Sequence, residues 1–122
     1  MPSFNFQKQF ADDVESGVKR QTIRGKRKNP PRVGQTAHLF TGLRTKNCRK
    51  LGAHRINTVA DVVIHSDCVL IRQCWWQTVL VRKKKLNEFA VADGFKDWNQ
   101  MRAWFQKTYS LPFGGDLIKW DF

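Results

Sequence analysis

Gly17-Val18-Lys19-Arg20-Gln21-Thr22-Ile23-Arg24 follows an amphipathic run and opens a basic tract in which no acid occurs before Asp61. Gly17 suits a helix stop, because glycine accepts the left-handed conformation that closes many helices. Beyond it, Lys19, Thr22 and Arg24 bring an amine, a hydroxyl and a guanidinium within a few residues of one another. An extended Gln21 to Arg24 sends Thr22 and Arg24 to one face and Ile23 to the other. One face is then apolar and packed, the other polar and available. Residue types alone do not make K-x-x-T-x-R catalytic: cations near a helix end also complement its dipole, and threonine suits strands for its own reasons.

Upstream, Phe4, Phe6, Phe10 and Val14 are spaced for one apolar face of a helix running from about Phe6 to Ser16, opposite Lys8, Asp12, Asp13 and Glu15. Downstream, residues 25–32 read GKRKNPPR, whose prolines and cations predict an exposed extended loop. Lys26, Arg27 and Lys28 in that loop, with Arg20 and Arg24 before it, are candidate phosphate contacts. A strand is expected from Gly34 to Phe40, then a long loop over 43–52 whose Arg44, Lys46, Arg49 and Lys50 form a second candidate group.

From Arg55 to Val81 the chain is rich in β-branched residues, with strands expected at Val59 to Ile64, Val69 to Ile71 and Thr78 to Val81 and a turn at His65-Ser66-Asp67. Trp75 and Trp76 are adjacent, so in a strand one faces in and the other out, and Trp76 is placed among the nucleic-acid contacts as a base-stacking candidate. Arg82-Lys83-Lys84-Lys85 reads as a solvated strand end. Asp97-Trp98-Asn99-Gln100 has the form of a capping box for a helix whose apolar stripe is Met101, Trp104, Phe105 and Tyr109. Leu111-Pro112-Phe113-Gly114-Gly115 is expected to break the chain before a last strand, Leu117 to Phe122.

The 122 residues fit a single domain, 1–122, long enough for a core, and 41% hydrophobic content argues against wholesale disorder. No apolar run approaches the roughly 20 residues that cross a bilayer, and the N-terminus lacks the layout of a secretory signal, so a cytoplasmic protein is expected. Cys48, Cys68 and Cys74 match no zinc spacing; the nearest approach, His65 and Cys68 with Cys74, lacks a fourth ligand, and neither metal nor cofactor is expected. The net charge is decisive at this level: 22 basic against 10 acidic residues give +12. A polyanion partner follows, because neutralising phosphates releases counterions. Nucleic acid leads, and a membrane surface falls behind because no long basic amphipathic segment is present.

The order of pieces, an aromatic-led helix, then G-x-K-x-x-T-I-R, then a Gly-led strand at Gly34, resembles the opening of an ASCH domain, a family of the PUA-like superfamily. Ala92-Asp93-Gly94-Phe95, the helix after it and Leu117-Ile118-Lys119-Trp120 extend the resemblance over most of the chain. It implies an α+β fold, a PUA-like mixed β-barrel with two main flanking helices, and a cleft for RNA or a nucleoside. Some small bacterial members are N4-acetylcytidine amidohydrolases using a lysine, a threonine and a glutamate. Carried over, the catalytic set is Lys19, Thr22 and Asp93, the acid one methylene shorter than in those enzymes. Three readings stand open: an RNA-binding rather than DNA-binding protein; a hydrolase, either amidohydrolase or ribonuclease; and a basic protein-interaction adaptor. An anion is expected between Lys19, Arg24 and residues 44–50.

Overall fold

Alternation, not helical periodicity, governs the first residues. The structure, a computed structural model describing residues 2–73 and 76–122, begins with strand β1 (Ser3–Phe6), in which Phe4 and Phe6 are buried and Ser3 and Asn5 exposed. The expected helix starts later, as α1 (Lys8–Ser16), with Phe10, Ala11 and Val14 inward. Phe4 and Phe6 fit a two-residue repeat as well as they fit a helix face, and pairing with a distant strand decides between them. Gly17 closes α1 at φ 83°, and β2 (Gln21–Arg24) follows.

β3 (Thr36–Thr41) pairs parallel with β1 and antiparallel with β4 (Arg49–Ile64). The long loop expected over 43–52 is therefore shorter, and Arg49 and Lys50 lie in a strand. β4 turns through residues 65–68 into β5 (Val69–Gln73), which pairs with β6 (Trp76–Leu80). The 82–85 charge run is not a strand end: Arg82 precedes α2 (Lys83–Ala92), and Lys83 to Lys85 form its first turn. Cations there oppose the helix dipole, so their sequence points away from a helix start. Burial of Leu86, Phe89 and Ala90 holds α2 in place.

The Asp97 side chain caps α3 (Trp98–Thr108) by accepting from the Gln100 N–H at 2.9 Å, as the capping signature predicts. The last strand, β7 (Phe113–Trp120), begins earlier than expected and includes Gly114 and Gly115. A Cβ at Gly115 would stand 2.3 Å from the Arg24 carbonyl oxygen, so glycine here admits a close strand approach and does not break the chain.

The architecture is α+β, and among the described residues it has three helices where two main ones are expected and seven strands joined in one sheet. β4 is its spine, pairing with β3, β5 and β7, while β2 pairs with β7. Among the described residues no backbone ladder joins β1 to β2, and the sheet is not closed. No helix among them is long and apolar enough to cross a membrane.

Candidate functional site

The gap between β1 and β2 is where the polar half of the Gly17–Arg24 stretch arrives. A hollow of about 250 Å³ lies there, lined by Asn5 and Phe6 of β1, Phe10 of α1, Lys19, Thr22 and Arg24, then Asp93 and Phe95 beyond α2, and Trp104, Phe105 and Tyr109 of α3. Lys19, Thr22, Arg24 and Asp93 thus share one depression, although Asp93 is 74 residues from Lys19.

Asp93 is delivered by the end of α2. Gly94 takes φ 95°, its N–H bonds to Val91 O at 3.0 Å, and the Phe95 N–H reaches back to Ala90 O at 2.9 Å. This pair of bonds is a Schellman closure, which turns the chain sharply after Asp93. Gly94 also has no room for a side chain, since a Cβ would stand 2.8 Å from the Phe10 ring and 3.0 Å from Lys19 Cδ.

Three polar groups of the hollow are almost without solvent contact: Lys19 is 2% exposed, Thr22 4% and Asp93 5%. Lys19 Nζ donates to the Asp93 backbone oxygen and lies 3.5 Å from Asp93 Oδ1, while Gln21 Nε2 donates to the same Oδ1 at 3.3 Å. Burial pulls the Lys19 pKa down, with Asp93 partly countering it, and pushes the Asp93 pKa up, with Lys19 and Gln21 partly countering it. The Lys19 ammonium also sits 5.2 Å from the Phe10 ring centre and 5.7 Å from that of Phe6.

Arg24 spans the gap. Its Nε donates to Thr22 Oγ1 at 2.9 Å and its Nη2 to the Asn5 carbonyl at 2.8 Å, so a side chain crosses where a backbone ladder does not. Burial first, and the neighbouring Arg27 second, bring its pKa down to about 10, which leaves it charged at neutral pH. Opposite, Phe95, Trp104 and Phe105 pack edge to face or tilted at 4.9–6.4 Å, and half-exposed Tyr109 stacks on Phe113 at 4.4 Å.

The other candidate contacts part company. Lys26 is not free for phosphate: it bridges Asp61 and Asp116, the latter at 2.6 Å, and these carboxylates face each other across β4 and β7. Arg49 is held by Glu15 at 2.7 Å and by Asp12 at 3.9 Å. Arg20 lines a different cavity, of about 680 Å³, and lies 5.3 Å from the Phe122 ring. Lys50 Nζ lies 3.4 Å from His38 Nδ1, and Arg44 and Lys46 are exposed in the 42–48 turn. None of residues 44–50 lines the hollow, and Lys19 is committed to Asp93, so the anion expected between them has no common floor. Arg27 and Lys28 line a separate basin of about 440 Å³. Trp75, Cys74 and the Trp76 side chain fall outside the described residues, and among those described no three ligating side chains gather for a metal.

The spacing of Trp104, Phe105 and Tyr109 points only to a core, and nothing in the sequence assigns a part to Asn5 or Gln21. The three aromatics carry the same three- and four-residue spacing whether they face a core or a cavity, so no signal separates the two. Comparison with known proteins adds no further constraint: no family model, no curated protein and no solved structure matches this chain.

Proposed function

We propose that the chain is a nucleic-acid-binding protein of the ASCH type, RNA preferred to DNA, which receives one base or a modified nucleoside in the hollow between β1 and β2. In this reading the open sheet is a PUA-like barrel parted at that gap, and the free thiols of Cys48 and Cys68 suit a cytoplasmic setting. The observation that carries it is the hollow itself: polar groups buried to within a few per cent, facing an aromatic wall, in a volume suited to one base. Buried polar groups that converge in an aromatic pocket orient a ligand, and stacking on an aromatic is worth about 1–3 kcal/mol per base.

A second reading, hydrolysis, is favoured by an amine and a hydroxyl, Lys19 and Thr22, that line the same hollow. The depressed Lys19 pKa increases its neutral fraction, and neutral Lys19 can take the Thr22 proton as Oγ1 attacks the acetyl carbonyl of N4-acetylcytidine. Arg24, bonded to that hydroxyl in the free protein, then faces the developing oxyanion. The C–N bond breaks as the proton passes to the departing cytosine nitrogen, and water releases acetate from Thr22. Asp93 positions Lys19 throughout. A ribonuclease would use the same groups on a ribose hydroxyl.

The test incubates purified protein with N4-acetylcytidine and with single-stranded RNA, measuring binding and product. Binding without product, weakened by Lys19→Ala, supports the first reading. Turnover lost in Thr22→Ala at unchanged affinity supports the second. Neither binding nor product removes both.

A further inference from the structure

Four cations among the described residues meet a carboxylate: Lys19 has Asp93, Lys26 has Asp61 and Asp116, Arg49 has Glu15, and Lys85 has Glu88. Arg24, which lines the hollow, and Arg27, which lines the basin of Lys28 and Arg32, do not. Arg24 lies 5.5 Å and Arg27 4.7 Å from the centre of the same Phe4 ring. Their hydrogen bonds go to neutral oxygens: Arg24 to Thr22 Oγ1 and Asn5 O, and Arg27 to Ser3 O at 3.4 Å. Among the described residues neither takes part in an ion pair. They are close enough that Arg27 lowers the Arg24 pKa.

Arg24 also lies 4.9 Å from the Phe6 ring centre, and Asp93 offsets its charge only in part. Two neighbouring guanidiniums without an ion pair of their own repel each other, and the arrangement is relieved by an anion that both can reach. Arg24 belongs to the hollow, and Arg27 belongs to the neighbouring basin that it forms with Lys28, Arg32 and Gln35. The pair therefore stands between a space for a base and a second, basic space.

We infer that Arg24 and Arg27 form a phosphate subsite, and that the ligand of this protein is a phosphorylated nucleotide within a single strand, its base in the hollow and its neighbour in the basin, rather than a free nucleoside. This inference rests on the base-binding reading above and narrows it. A duplex is disfavoured as the bound form, because a paired base enters the hollow only by flipping out of its stack, at an energetic cost. The elements are those of single-strand recognition: a stacking pocket beside cations that follow the backbone.

Affinities for cytidine, N4-acetylcytidine, their 5′- and 3′-monophosphates and four-nucleotide single-stranded RNAs, measured by calorimetry with wild type and with Arg27→Ala, test it. Arg27 is exposed and its substitution leaves the core intact, which a melting curve checks. The expected result is that phosphate improves affinity about tenfold or more, that the RNA gains again, and that Arg27→Ala removes this increment while Arg27→Lys restores part of it. Equal affinity for nucleoside and nucleotide overturns the subsite and leaves the base reading standing. RNA binding lost in Arg27→Ala, with no nucleoside or mononucleotide bound, keeps the phosphate contact and overturns the base pocket. Binding to none of them, or an increment untouched by Arg27→Ala, overturns the inference.

Discussion

Asp93 and Lys19 each make the other tolerable inside the protein. Removing one partner of a buried pair leaves an uncompensated charge, so Asp93→Asn should cost about 3–5 kcal/mol in urea denaturation at neutral pH. The sign of its pH dependence follows from Lys19, whose pKa in the folded protein already lies below its ordinary value and falls further without Asp93. Between that lowered value and 10.5 the unfolded chain holds a proton that the folded chain does not, so stability of the variant should recover as pH rises. A loss unchanged between pH 7 and pH 10 would contradict this. Gly94→Ala is predicted to cost about 1–3 kcal/mol from its left-handed backbone, and to weaken ligand binding by displacing Lys19, read by melting temperature and titration. At this scale the sequence was informative for Lys19, Thr22 and Arg24, because a helix stop followed by a strand gathers near neighbours by local geometry. Gln21 was not legible as the residue that steadies Asp93, since a glutamine's partner lies wherever the fold brings it.

Strands and helices show why local reading failed in places. Phe6, the last residue of β1, reads from sequence as the start of a helix because Phe4, Phe6 and Phe10 satisfy both periodicities, and only the parallel pairing of β1 with β3 makes the segment a strand. Lys26 illustrates the same limit for charge: its place in GKRKNPPR says loop, while its partners come from β4 and β7. Asp61 and Asp116 stand directly opposite one another, an unfavourable arrangement that Lys26 neutralises. Lys26→Met should destabilise by about 0.5–1 kcal/mol, less than a fully buried pair because Lys26 is more than half exposed. The double variant with Asp116→Asn should regain most of that loss in a thermodynamic cycle, and simple additivity would refute the coupling. Its pKa is raised, so the clip holds fully below the ordinary lysine value and is released as pH climbs through the raised one.

Across the molecule a charge of +12 suggests many phosphate contacts, yet the fold spends several cations on its own acids. With Arg24 in the hollow and Arg27, Lys28 and Arg32 in the basin, binding of single-stranded RNA should follow about two to four phosphates, at a slope of about −0.7 per phosphate in log affinity against log salt. Affinity should then fall roughly 7- to 50-fold between 50 and 200 mM salt. A slope demanding eight or more contacts would mean that cations well outside the hollow and the basin also meet phosphate, and a flat response would exclude the polyanion. Composition gives the sign of the protein's own charge but not how much of that charge is already spoken for by its own acids. Pro2 and Ser3 border the basin beside Arg27 and Arg32, and this has a practical side for whoever purifies the protein. A histidine tag fused ahead of them would hang over the very entrance where a strand is expected to lie, whereas one placed behind Phe122, which leans on Arg20 at another cavity, would leave that doorway clear.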